Sequence, residues 1–329
     1  MPKIHTFTGE KIFEKEIRTI AWFKSVLKKS STTNPTQFGN LIRDLKGEFG
    51  EGKRQWHNYG KKLSCPYDDT IEDVEKLFPG TGNIFKNGPE ESFLFRAMFE
   101  DEENYFAETI RRKTIPFKGL SANSYRLGLL DTEDIKKTLS FLELTLNEYR
   151  KTNSGNLGYS PQALLCLSNS TILFRYLIKR SSYSFSDYYV EDSLAIIINI
   201  IETEDMKTFL NEYEIRNLFL SWLYIKTIDW CSHSHTGNKF IISTCHSLPS
   251  SEAFIKNPKL FLKEFLKAQL EYAIRYGYDG GDKTIIEVNQ FVAKKASKWF
   301  PDEEIDFIDQ LSYLKDSLSS DAYSALTSA

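Results

Sequence analysis

Seven side chains between positions 53 and 62 have types and spacing that suit a specific chemistry: Lys53, Arg54, Gln55, His57, Asn58, Lys61 and Lys62. Arg and Lys donate to the O6/N7 edge of guanine, Gln and Asn bond adenine through two hydrogen bonds, and ammonium groups neutralise phosphates. Trp56 and Tyr59 interrupt this polar run at a spacing of i, i+3, which puts both rings on one face of a helix. That face is expected to enter a core. Lys53, Arg54, Gln55, His57 and Asn58 are then left on or near the outward side. Lys61 and Lys62 follow in a Gly-Lys-Lys turn, well placed for phosphates.

Such a cluster needs helices to hold it, and the surrounding sequence supplies them. Upstream, Asn34-Pro35 opens a helix with proline at its first position, and Phe38, Leu41, Ile42 and Leu45 form its buried stripe. GEFGEG at 47–52 breaks it. Downstream, Pro66 and Asp68/Asp69 start another helix, whose Ile71, Val74 and Leu77 point inward. A third short segment follows the Pro79-Gly80-Thr81 break.

From Lys53 to Phe85 this order resembles the back half of the helix-turn-helix domain of the Cro/phage-repressor (XRE) family, within a stretch of about residues 35–90. The resemblance implies that residues 35–46 brace across the DNA backbone and that Gly52 to about Tyr59 is the recognition helix in the major groove. It implies a double-stranded DNA partner, with the seven residues above as the contacts. It also implies a transcriptional regulator, or a component of a mobile element or phage-defence locus. The alternative is an all-helical interaction or effector protein whose basic N-terminal face binds a protein or RNA.

Charge supports an anionic partner near the N-terminus. Residues 1–62 hold 13 Lys and Arg against 6 Asp and Glu, whereas residues 63–150 hold 11 against 17 and residues 151–329 hold 18 against 22. A basic section on an otherwise acidic chain is what phosphate contact requires.

Other constellations carry less. Gly47 to Lys53, GEFGEGK, fits the first seven positions of a phosphate-binding loop, but Arg54 stands where a Ser or Thr must ligate magnesium. The preceding NLIRDLK is amphipathic and helical, not the buried strand that motif needs. Cys231, His233, His235, Cys245 and His246 have zinc-ligand chemistry without zinc-ligand spacing, and remain weak metal candidates beside a reading as a loop with two packed cysteines. The acidic run Glu100 to Glu103 reads as a solvated face. No nucleophile elbow or cysteine signature marks an active site, so an enzyme is the minority reading and no cofactor is expected.

In bulk the chain is an ordinary globule of 329 residues, 41% hydrophobic and 26% charged, with enough length for two or three units. No apolar stretch is long enough for a membrane span and no signal peptide is evident. Four irregularly spaced cysteines make no disulfide framework, so a reducing cytoplasm is expected.

The expected fold is mainly α: an N-terminal helix and linker over 1–30, a helix-turn-helix-like domain over 31–95, and a helical domain over 96–329 that subdivides near 152–160. In that last part helices are expected from Asp131/Thr132, from Pro161 to about Arg180, and over 187–202, 205–230, 258–276, 283–299 and 302–318. Asn238 to Ser243 reads as a lone short strand. A homodimer or a larger protein complex is the expected assembly.

Overall fold

The computed structural model describes residues 7–46, 53–61, 64–102, 104–106, 130–152, 161–180, 187–233, 249–276, 282–303, 305 and 307. These are mainly helical, with no strand among them. In chain order the α-helices are α1 (Phe7–Lys29), α2 (Pro35–Lys46), α3 (Lys53–Gly60), α4 (Asp68–Leu77), α5 (Thr81–Asn87), α6 (Leu94–Phe99), α7 (Thr132–Thr152), α8 (Pro161–Arg180), α9 (Asp187–Ile201), α10 (Glu204–Glu212), α11 (Arg216–His233), α12 (Ser251–Lys256), α13 (Pro258–Tyr276) and α14 (Asp282–Trp299). A short 3-10 turn, Pro89–Glu91, lies between α5 and α6. The GEFGEG loop, the 238–243 segment, most of the 152–160 loop and nearly all of 302–318 lie outside the described residues.

Local signals account for several of these helix starts. Asn34 Oδ1 accepts from Gln37 N at 3.0 Å, and Gln37 Oε1 accepts in return from Thr33 N at 2.9 Å, a reciprocal cap on α2. Asp131 Oδ1 accepts from Asp134 N at 2.8 Å ahead of α7, and Ser250 caps α12 by accepting from Ala253 N.

The expected helix over 205–230 is two helices, α10 and α11. The break is a C-terminal closure in which Ile215 N bonds Leu210 O at 3.0 Å and Glu214 N bonds Asn211 O at 2.9 Å. Glu214 takes the left-handed position with φ 55. Glycine normally sits there, and its absence removed the stop signal from the sequence. The same closure ends α1, with Ser31 at φ 55.

The chain divides into two compact units: residues 1–176 with 203–219, and residues 177–202 with 220–329. In the first, α1 to α5 enclose an aromatic core of Trp22, Phe23, Phe38, Trp56 and Tyr59, closed by Ile42, Ile71 and Val74. The Phe38 and Trp56 rings meet edge-on at 4.8 Å, and Trp56 and Tyr59 at 5.6 Å. Further along this unit, α7 buries Ile135, Leu139, Leu142, Leu146 and Tyr149, the stripe its periodicity predicts.

The acidic run expected as a solvated face is solvated only in part: Asp101 is exposed, but Glu102 is not. Glu102 is 8% exposed and pairs with Arg175 of α8 at 2.9 Å, while the same guanidinium donates to Ala97 O and Glu100 O at the end of α6. An arginine 73 positions away (Glu102 to Arg175) cannot be read from local composition.

The second unit is built on α9, whose Leu194 to Ile198 are all buried, packed with α13 and α14. One charged pair lies inside it: Lys295 binds Glu191, and Gln269 Nε2 donates to the same carboxylate at 2.9 Å. Beside it, Asp192 accepts from Lys298 at 2.9 Å and from Trp299 Nε1 at 3.1 Å. Among the described residues no helix is long and apolar enough to cross a membrane.

Candidate nucleic-acid interface

The fixed end of the candidate interface is Trp56 and Tyr59, 2% and 1% exposed. With both rings buried, α3 can present only the rest of its circumference. Gln55, His57 and Asn58 are half-buried and Lys61 is exposed. Gln55 Nε2 donates to Tyr59 Oη, and His57 Nε2 lies 3.0 Å from Thr36 Oγ1 in the first turn of α2. The Thr36 contact ties α3 to the start of α2, the neighbour against which it packs. Lys61 N closes the helix on His57 O at 2.9 Å. Lys53 and Arg54 form the first turn of α3, but their side chains, and Lys62 altogether, lie outside the described residues.

Downstream, Glu75 organises the next turn. Its carboxylate accepts from Gly80 N and Gly82 N, both at 2.6 Å, and from Thr81 Oγ1 at 3.3 Å, so it caps the start of α5. Gly80 is left-handed at φ 87, a backbone conformation that favours glycine, and a Cβ there would also displace the Lys29 ammonium, 2.7 Å away. Burial alone pushes the Glu75 carboxyl up, but these hydrogen bonds and nearby Lys29 together hold it below its ordinary 4.5. Its contribution is therefore present above pH 4.5 and is lost as pH falls through the lowered value. Glu75→Gln is expected to cost about 1 kcal/mol at neutral pH, as for other side-chain caps. In chemical denaturation across pH, the gap to wild type should close on acidification; a gap independent of pH removes the carboxylate from this role.

Part of the N-terminal positive charge is spent internally. Lys24 pairs with Glu214 at 2.5 Å and Lys28 with Glu212 at 3.3 Å, while Lys29 Nζ donates to Pro79 O. Arg18 pairs with Glu14 at 2.8 Å and donates to Phe85 O at 2.9 Å, where it meets the carbonyl end of α5. Burial lowers its pKa, offset in part by Glu14. Counting charges along the sequence could not separate these cations from those free to meet a partner.

The same unit carries an open groove of about 1230 Å³ between α1 and the segments 64–72, 82–86 and 96–100. No residue of α2 or α3 lines it. The sequence reading missed this feature, although Lys11/Lys15 and Asp68/Glu72 each repeat at i, i+4.

For the metal candidates, Cys231 is buried near the end of α11 and disulfide-bonded, a bridge where the cysteine spacing predicts no disulfide framework, and this sulfur is therefore not a thiolate ligand. His233 ends the same helix, and His235, Cys245 and His246 lie outside the described residues. Among the described residues no group of three His, Cys, Asp or Glu is placed to hold a metal ion. The residues before the GEFGEGK motif form α2, a helix, where a nucleotide-binding loop needs a strand. No family model, curated protein or solved structure matches the chain.

Proposed function

We propose that this chain is a DNA-binding protein that reads duplex DNA with α3, acting as a transcriptional regulator or as a component of a mobile element or phage-defence locus. Lys53, Arg54, Gln55, His57 and Asn58 approach base edges, and Lys61 and Lys62 hold phosphates. The observation that carries the reading is the burial of Trp56 and Tyr59, which anchors α3 by one face and leaves Gln55, His57 and Asn58 half-buried on the rest of its circumference. The charge excess of residues 1–62 adds to it. The second reading is an interaction or effector protein whose basic face meets a protein or RNA; the internal pairing of Lys24 and Lys28 takes two cations from either partner.

Mobility shift on random duplex DNA at low and moderate salt separates the two. Binding that weakens steeply with salt is expected, and no shift even at low salt sinks the DNA reading. Arg54→Ala or Gln55→Ala should relax sequence preference, each base contact being worth about 1–3 kcal/mol. Lys61→Ala should weaken binding to all sequences alike and reduce the salt slope by about one. A quadruple substitution of Arg54, Gln55, Lys61 and Lys62 that leaves binding intact removes α3 as the reader.

A further inference from the structure

The groove on the first unit is already organised in the free chain. Its two inner cations are neutralised by their own neighbours: Arg18 by Glu14, and Arg96 by Glu100 through two hydrogen bonds of 2.6 and 3.0 Å. Phe85, Phe99 and Ile71 supply apolar lining. What remains is an unpaired set with a clear order. Lys11 and Lys15 come from α1 and Asp68 and Glu72 from α4, two helices that each pack on α5, and all four are exposed and without an ion-pair partner among the described residues. Lys86 of α5 adds a third exposed cation with no ion-pair partner among the described residues.

Tyr67, at the N-cap of α4, stands on the rim of this groove and is 77% exposed, the most exposed large hydrophobic side chain among the described residues. Its side chain makes no capping hydrogen bond, so it serves no purpose in starting the helix, where Ser, Thr, Asp or Asn is preferred. An exposed tyrosine beside an aromatic-lined groove is the type of anchor that protein interfaces use.

One face thus carries a projecting ring, a groove to receive a ring, a positive edge and a negative edge. Such a surface contains its own complement. With a two-fold axis running along the groove, Lys11 and Lys15 of each copy face the partner's Asp68 and Glu72, and each Tyr67 reaches the other groove. We infer that this groove is a self-association surface whose occupant is a second copy of this chain, anchored by Tyr67 and set in register by the Lys11/Lys15 and Asp68/Glu72 pairs. The inference does not rest on DNA binding and is tested without DNA.

The test is sedimentation equilibrium of the full chain across micromolar concentrations. Wild type is expected to dimerise reversibly. K11E/K15E and D68K/E72K should each weaken dimerisation by roughly tenfold or more, because like charges then face one another. An equimolar mixture of the two variants should restore a 1:1 heterodimer, since two acidic edges then meet two basic ones. Y67S should also weaken dimerisation without lowering the melting temperature, because serine is a better N-cap than tyrosine. A wild type that stays monomeric overturns the inference and leaves the groove to another occupant. So does a dimer that survives both charge variants, or a mixture that behaves like its separate components.

Discussion

Trp56→Ala is expected to destabilise the first unit by about 3–5 kcal/mol, the range for emptying a large buried aromatic site. The indole is 2% exposed and lies in ring contact with Phe38, Tyr59 and Phe23, the last stacked at 6.4 Å. These rings come from α1, α2 and α3, so the void opens where three helices meet and cannot close by the shift of one. Among the described residues Trp56 Nε1 has no hydrogen-bond partner, so Trp56→Phe forfeits volume and no bond there, and should cost clearly less than Trp56→Ala. Thermal and urea unfolding by circular dichroism check both. A Trp56→Ala variant that melts like wild type would mean that the ring is not in the core. The polar residues of α3 would then be phased differently, and the proposed contact set would go with them.

Lys295→Met is expected to cost a similar amount, about 3–5 kcal/mol, by leaving the Glu191 carboxylate buried without a cation. Glu191 is 3% exposed and Lys295 6%, and Gln269 provides a single hydrogen bond to the same group. Replacing both members, as Glu191→Leu with Lys295→Met, should be close to neutral, because no buried charge then remains to be solvated. The pH dependence gives the mechanism. Burial raises the Glu191 pKa above its ordinary 4.5, opposed by Lys295, and without the ammonium that rise can only increase. A carboxyl whose folded value is raised contributes its full stability below pH 4.5 and loses it as pH climbs through the folded value. Lys295→Met should therefore recover stability on acidification, the opposite of the trend that Glu75 imposes. If the single and double variants unfold alike at every pH, the pair contributes little to the second unit.

What the sequence determined by itself was whatever depends on residues within a few positions of one another. Asn34-Pro35, Asp131, Ser160-Pro161 and Asn257-Pro258 start helices where the caps predict, and α13 has the expected bounds. The i, i+3 spacing of Trp56 and Tyr59 and the stripe from Ile135 to Tyr149 marked core faces, because helical periodicity alone decides which side chains share a side. Tertiary structure decided everything whose partners are distant. Glu214 ends α10 in a left-handed conformation that only its surroundings hold. Glu102 is buried because Arg175 reaches it, and Glu191 because Lys295, 104 positions later (191 to 295), reaches it. The groove draws on four separated segments, so neither its charges nor Tyr67 stood out in a linear scan. Electrostatics and burial act through space, and a chain of this length places in contact many pairs that its sequence keeps far apart.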